Sequence, residues 1–425
     1  MSRPGRPRAA FVVTGSELVR GERTDRNGPF LAREALRLGL EPARILVVGD
    51  RPEELEAALR EGLRADLCVV SGGLGPTHDD RTIELLARAA GHELVLDEAL
   101  VEEIGAVSRR IAERLRRPYA DFEAGVRKQA TLPAGASSLG LAGTAPGVVL
   151  ETDGAVVVAL PGPPGELQRL WARALETEPV LRLLERARPP GRRVLRFFGA
   201  SESAVARALD EAGGEGEGVE ATVCARDFEV HVDLVVDGGD ARADALSAAL
   251  RERLGAHLFA EDERPVEALV VDLCRASGLS LATAESCTGG LVAARLTSVP
   301  GSSDVFRGAV VAYADEVKEA ELGVGADLLR RYGAVSAEVA HAMALGAQER
   351  LGVDIAVSVT GVAGPGGGTA EKPVGLVYLH AAAPEGELAA DFSLPADRET
   401  VRRRAAASAL HLVRRLLTHN WHEGA

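Results

Sequence analysis

Three lysines, Lys128, Lys318 and Lys372, stand among 49 lysine and arginine residues. Arginine stays protonated in proteins, so chemistry that needs a deprotonatable amine has three candidates. Lys318 has the most suggestive setting. It follows Tyr313-Ala314-Asp315-Glu316-Val317, where an apolar run ends and a helical pattern begins. The first turn of a helix and a closed site both favour a neutral amine, whereas Asp315 and Glu316 oppose it unless they point away. Two serines are candidate nucleophiles: Ser286, in the turn Thr283-Ala284-Glu285-Ser286-Cys287-Thr288-Gly289-Gly290, and Ser303, in Gly301-Ser302-Ser303. A serine paired with a lysine is a known variant of nucleophile and base. Carboxamide hydrolysis needs that pair, an oxyanion site and an acid for departing ammonia. Ser286 sits at a sharp strand-to-helix turn, as many nucleophiles do. Ser302-Ser303 also suits an ordinary helix cap. Cys287 reads as a small buried residue, with a thiolate nucleophile as its alternative. His341 and His380 read as structural.

A second constellation lies upstream. Ser71-Gly72-Gly73-Leu74-Gly75-Pro76-Thr77-His78-Asp79-Asp80 follows an apolar run and opens a helix. Such a turn lets backbone N–H groups approach a phosphate at the positive end of the helix. Asp79 and Asp80 could hold a divalent cation bridging phosphates. Thr77 with Asp80 three residues on also fits a capping box.

The elements that must position these groups alternate strand and helix. Runs at 11–14, 44–48 and 67–70 read as buried strands, each followed by helical periodicity at 30–38, 53–63 and 82–90. Strands at 147–150 and 155–160 follow, then a helix at 166–176. The pattern predicts a parallel sheet with helices on both faces. Segments 177–193 and 261–265 mark breaks, with a strand–helix–strand–helix unit between them. From 266 on, strands at 280–284, 308–312, 355–359 and 376–380 alternate with helices. The expected architecture is α/β: a three-layer α/β/α domain over 1–176, a small α+β domain over 177–262 and a Rossmann-like α/β/α domain over 263–425.

Composition narrows the classes further. The 425 residues carry a net charge of −14, and 4% are aromatic, which argues against nucleic acid as a default partner. No apolar run approaches the roughly 18–20 residues of a membrane helix. Four scattered cysteines without a CxxC fit a reducing cytoplasm and argue against a disulfide framework or structural zinc.

Taken together, GSEL (15–18), TDRN (24–27), the 71–82 segment, RKQA (127–130), GTAPG (143–147) and LPGPPGEL (160–167) resemble the competence/damage-inducible protein A (CinA) family. The C-terminal set resembles that family's nicotinamide-nucleotide amidohydrolase domain. It comprises 283–290, Gly301-Ser302-Ser303, Tyr313 to Lys318, Thr360 to Pro365, Lys372 to Gly375 and Asp397-Arg398-Glu399. The resemblance implies a molybdopterin-binding-like N-terminal fold that cleaves ADP-ribose. It also implies a C-terminal domain that deamidates nicotinamide mononucleotide (NMN). In the first, Glu17, Asp25, Asn27, Gly72, Gly73, Gly75, Thr77 and Lys128 would line the site. Asp79 and Asp80 would hold Mg²⁺ or Co²⁺, with K⁺ as a further cation. The second would need no cofactor. Its dyad carries over onto Ser303 and Lys318, with Ser286, Tyr313 and Thr360 orienting the substrate or oxyanion. Glu285, Thr288, Gly289, Gly361 and Gly364 would line the substrate, and Arg398 would hold its phosphate or close the site. Ser286 as nucleophile is the alternative. Arg26, Val126, Leu141 and Ala142 depart from the family pattern by replacing polar residues usual there. A homodimer in the cytoplasm, acting on small nucleotides away from membranes, is expected. The rival reading is a non-catalytic nucleotide-binding or scaffold protein linked to competence or DNA damage.

Overall fold

The computed structural model describes residues 6–419. The chain divides into two compact units after Pro190. In the first, a six-stranded sheet has the order Glu41–Val48, Arg8–Thr14, Leu67–Ser71, Val156–Leu160, Pro146–Glu151, Ser137–Leu141. The first four strands run parallel and the last two are antiparallel. Alternation along the central strands feeds two cores. Phe11, Leu67, Val69 and Val158 face one helical layer. Val12, Cys68, Val70 and Val157 face the other. This is why these strands read as continuous apolar runs.

Three expectations change here. The strand read at 44–48 begins at Glu41 and is an edge strand, with Ile45 and Val47 exposed. Helix Glu178–Leu184 belongs to the first unit, because Val180 and Leu183 pack into its core, so that unit runs past 176. Helices Glu98–Leu115 and Ala120–Gln129, and the small pair of strands Leu94–Leu96 and Thr131–Pro133, are additions to the elements expected from periodicity.

The second unit holds two sheets. The smaller is antiparallel, ordered Val219–Arg226, Glu229–Val236, Gly191–Phe198, Leu258–Ala260. Helices Glu202–Glu211 and Asp240–Leu254 share its core. The larger sheet is ordered Phe306–Val311, Leu281–Glu285, Ile355–Gly361, Leu376–Ala383, Gly386–Ser393. Its first three strands are parallel and its last two form an antiparallel hairpin. Among the described residues, no helix is long and apolar enough to cross a membrane.

His411, on the helix Arg398–His419, joins the two sheets of this unit. It is 0% exposed, stacks on Phe198 with ring centroids 3.8 Å apart, and lies edge-on to Phe259. Its Nε2 lies 2.9 Å from Glu229 Oε1, and His231 meets the other oxygen at 2.9 Å. Burial pushes the His411 imidazole down to about 4, outweighing the pull of Glu229. The folded state therefore resists a proton that the unfolded state accepts below about 6.5. Stability from this group is present at neutral pH and is lost as pH falls from about 6.5 towards 4. A thermal-melting series from pH 7 to 5 should show this unit losing roughly 1–3 kcal/mol. His411→Gln should flatten the slope, and an unchanged slope would contradict the assignment.

Candidate functional sites

In the first unit, the predicted residues gather at the carboxyl ends of the parallel strands, where open α/β sheets bind ligands. A cleft of about 570 Å³ is lined by Glu17, Arg23, Asp25, Arg26 and Asn27, with Ser71 and the Gly162–Pro164 turn opposite. A second cleft of about 360 Å³ shares Thr14, Glu17, Gly162 and Pro163 with it, and is lined by Gly72, Gly73, Gly75, Asp50, Asp79 and Asp80. The glycines are there because the chain passes too close for side chains. Gly72 has φ +104°, and a Cβ on it would sit 2.5 Å from the Thr14 carbonyl oxygen. Thr82 locks the turn by donating to the Gly72 carbonyl at 2.8 Å.

Within that turn the Thr77 hydroxyl lies 2.5 Å from Asp79 and 2.6 Å from Asp80. The Thr77 amide also donates to Asp80 at 3.0 Å, but the helix begins only at Thr82 with Arg81 at its N-cap, so the pair closes the turn and does not cap the helix as its spacing suggested. The bond from Thr77 holds the Asp79 carboxyl below its ordinary range. Lys128 donates to the Thr77 carbonyl and shares a third cleft with Gly73, Gly75 and Asp80. Asp79, Asp80, Glu17 and Asp50 all line the second cleft.

Asn27 is 6% exposed and donates to Ser71 Oγ and to the Gly162 carbonyl, while its Oδ1 is buried without a partner. Asn27 also lines the first cleft. Asp25, which lines the first cleft, has a structural job as well. Its carboxylate accepts from the amides of Asn27 and Gly28, closing the start of the helix Asn27–Arg37. Asp50 is a cleft residue that sequence reasoning misses. It accepts from Thr14 Oγ1 at 3.0 Å and from Ser16 Oγ at 2.6 Å, tying the ends of two strands together. Its only sequence signal is its place two residues beyond a strand. Of the departures, Arg26 lines the first cleft, and Val126 is 2% exposed within an apolar core, so it presents no polar group to a ligand.

In the second unit the same rule collects a second set. Ser286 follows Leu281–Glu285, Tyr313 follows Phe306–Val311, and Thr360 ends Ile355–Gly361. Lys318 lies in the helix Asp315–Leu322, which stops at Gly323 in the left-handed conformation. The lysine is 1% exposed, and its ammonium donates to the Tyr313 carbonyl at 3.3 Å and to Asp315 Oδ1 at 3.4 Å. Thus Asp315 points towards the amine rather than away. Helix Ala337–Leu351 presses against this segment at Gly346, where any Cβ would collide with the Leu322 carbonyl. Arg398 spans two loops, donating to the Gly364 carbonyl at 2.8 Å and to the Tyr313 hydroxyl at 2.7 Å. The Thr360 hydroxyl donates to the Ala334 carbonyl at 2.7 Å.

Two predicted site residues are otherwise employed or otherwise placed. Glu285, expected to meet substrate, is 0% exposed. Its two oxygens accept from the amides of Gly290, Val292 and Ala293 and from the Thr283 hydroxyl. It fixes the start of the helix Leu291–Thr297 and the shape of the Ser286–Gly290 turn. Within that turn, Thr288 is 0% exposed with its hydroxyl unpartnered, and Gly289 and Gly290 both have positive φ. Ser303 lies in the short turn Ser302–Asp304, before the strand whose far end leads to Tyr313. Ser303 and Lys318 of one chain are therefore separated by the six-residue strand, about 20 Å at roughly 3.3 Å per residue. Burial pushes the Cys287 thiol up to about 12, which removes it as a thiolate nucleophile. Lys372 donates to the Tyr332 carbonyl.

Comparison with known proteins agrees with this division. Residues 10–182 match the family described as "Probable molybdopterin binding domain", residues 192–260 the "Damage-inducible protein CinA KH domain", and residues 263–417 the "CinA C-terminal domain". A CinA-like protein of Mycolicibacterium paratuberculosis is 44% identical over 98% of this chain and 99% of its own length. The chain belongs to the CinA family. A second CinA-like protein, from Mycobacterium tuberculosis, is 43% identical over 97% of each chain. A solved structure titled competence/damage inducible protein CihA, from Agrobacterium tumefaciens, is 41% identical, covering 36% of this CinA chain and 97% of its own, with a TM-score of 0.34.

Proposed function

We propose that the C-terminal part of this CinA protein hydrolyses NMN to nicotinate mononucleotide and ammonia. The observation that carries the reading is Lys318: a buried amine at the carboxyl end of a parallel sheet, beside the Tyr313–Arg398 pair. In this reading a serine hydroxyl attacks the carboxamide carbon while Lys318 takes its proton. Lys318 then returns that proton to the departing nitrogen, and ammonia leaves. Water attacks the resulting ester through the same base, releasing the acid and regenerating the serine. Thr288 and the Ser286–Gly290 turn stabilise the oxyanion. Arg398 meets the nucleotide phosphate.

The serine is Ser303, supplied by a second copy of the chain. Phe306–Val311 is an edge strand of its sheet, so one side is free of sheet partners. Exposed Val311 and Tyr313 lie at one end and exposed Ser303 at the other. Antiparallel pairing of two such edges about a two-fold axis, centred near Ala309, sets each Ser303 turn against the other copy's Tyr313–Lys318 turn. Ser286, the alternative, ends the neighbouring parallel strand on the Lys318 side of the same sheet, its amide donating to the Val359 carbonyl. Incubation with NMN, followed by assays for ammonia and nicotinate mononucleotide, tests the reaction. No ammonia from the folded protein would leave the scaffold reading in its place.

The acid-lined cleft favours a second activity, hydrolysis of ADP-ribose to AMP and ribose 5-phosphate. Asp79 and Asp80 would hold a divalent cation, which when bound neutralises diphosphate charge. The glycine turn contributes backbone donors. Asp80→Asn should lower AMP release in Mg²⁺ by about 10²-fold or more while NMN deamidation persists. Equal AMP release by parent and variant would exclude this role.

A further inference from the structure

A cluster outside both sites has the geometry of a metal centre. His341 lies on the helix Ala337–Leu351, His380 on the strand Leu376–Ala383 and Glu387 on the final strand Gly386–Ser393. Glu387 Oε2 is 3.2 Å from His341 Nε2 and 3.1 Å from His380 Nε2. The three candidate ligand atoms all lie within 4.8 Å of one another, and the two rings meet edge to face with centroids 4.7 Å apart. We propose that His341, His380 and Glu387 form a binding site for a zinc-class divalent transition-metal ion, with water as fourth ligand.

Donor chemistry and distances both point that way. Two imidazole nitrogens and one carboxylate oxygen are the borderline donors that Zn²⁺ prefers, whereas Mg²⁺ and Ca²⁺ take oxygens. With ligand bonds of about 2.0–2.1 Å, neighbouring ligands of a tetrahedral zinc stand roughly 3.3–3.4 Å apart. Both N···O separations are within a few tenths of an ångström of that value. The remaining N···N edge closes by small rotations of His341 and Glu387, whose side chains are 45% and 44% exposed. That exposure also leaves the fourth position open to water. His380 is held firmly, with its side chain 9% exposed.

The site would act as a clip. His380 pairs in register with Ser358, whose hydroxyl donates to the Ala340 carbonyl, next to His341 on the helix. Two residues further along that strand is Thr360, tied to Ala334 just before the same helix. An ion here pins the helix to the hairpin through side chains. It also stiffens the layer behind Thr360, without taking part in either proposed reaction. The proposal is independent of both.

The test uses the full chain, stripped with a chelator and returned to buffer containing excess Mg²⁺. ZnCl₂ is then added, and bound zinc is measured by equilibrium dialysis. Adventitious zinc on the acidic turn or on exposed Cys224 is common to parent and variants and cancels. The expected result is one more zinc per chain in the parent than in His341→Ala and in the near-isosteric Glu387→Gln. Zinc should raise the melting temperature of the parent alone. Co²⁺ in place of zinc should give intense tetrahedral visible bands in the parent, absent from both variants. Equal zinc content and equal Co²⁺ spectra in the parent and a folded variant would overturn the site. Should one variant fail to fold, the other decides.

Discussion

Lys318→Met should remove ammonia release from NMN, lowering kcat by about 10²–10⁴-fold, while the protein stays folded. The methionine nearly fills the lysine's volume, so the cavity cost of an alanine is avoided. It leaves no buried orphan charge, since the amine's acidic partner, Asp315, is 54% exposed and can be solvated. The Tyr313 carbonyl loses one donor. Lys318→Arg separates charge from proton transfer. Arginine keeps the positive charge and cannot give up its proton, so it should be as inactive as methionine if the lysine is a base. If Lys318 only holds an anion in place, arginine should retain substantial turnover. Ammonia release under saturating NMN, with near-ultraviolet circular dichroism as the folding control, distinguishes these cases. A methionine variant with kcat close to the parent would remove Lys318 from the chemistry.

The amino-acid sequence singles out this lysine because arginine replaces lysine almost everywhere else. It does not reveal the burial. What the order of residues does not show is the helix Ala337–Leu351, which packs at Gly346 against the Leu322 carbonyl of the lysine's own helix. The parallel strands are readable for a simpler reason. Leu67–Ser71 and Ile355–Gly361 are covered on both faces, so their apolar character does not alternate. Gly386–Ser393 escapes because it is an edge strand whose residues alternate between half-buried and exposed, with Glu387, Ala389 and Asp391 interrupting any apolar run. Glu285 shows what a motif cannot reveal. Its position beside Ser286 suggests contact with substrate, but its oxygens are consumed by three amides and a hydroxyl. Asp50 is the converse, a cleft residue in no motif, placed there by the end of its strand. The distance between Ser303 and Lys318 is implicit in the order of elements. In a parallel sheet, residues just before a strand and residues just after it lie on opposite edges.

Mixing two inactive variants should restore that separation to a working site. Ser303→Ala and Lys318→Met are each expected to be inactive alone, because every site in either homodimer lacks one partner. A mixed dimer has one site with both groups damaged and one with both intact: Ser303 from the Lys318→Met chain and Lys318 from the Ser303→Ala chain. Random exchange in an equal mixture makes half the dimers mixed, so about a quarter of parent activity should return. Recovery should follow subunit exchange, appearing after dilution and reconcentration or mild denaturant and remaining absent when the chains are cross-linked beforehand. Ala309→Cys, at the proposed two-fold axis of the edge strands, should allow oxidative cross-linking between copies. A serine acting within its own chain gives a different pattern. Ser286→Ala would then be the inactive variant, Ser303→Ala would retain activity, and no mixture with Lys318→Met would exceed the sum of its parts. Loss of activity in Ser303→Ala without recovery on exchange would reject the shared site while leaving the deamidation reaction itself intact. The outcome turns on one geometric fact, that the serine and the lysine sit at opposite ends of an edge strand, where a two-fold axis would exchange the ends.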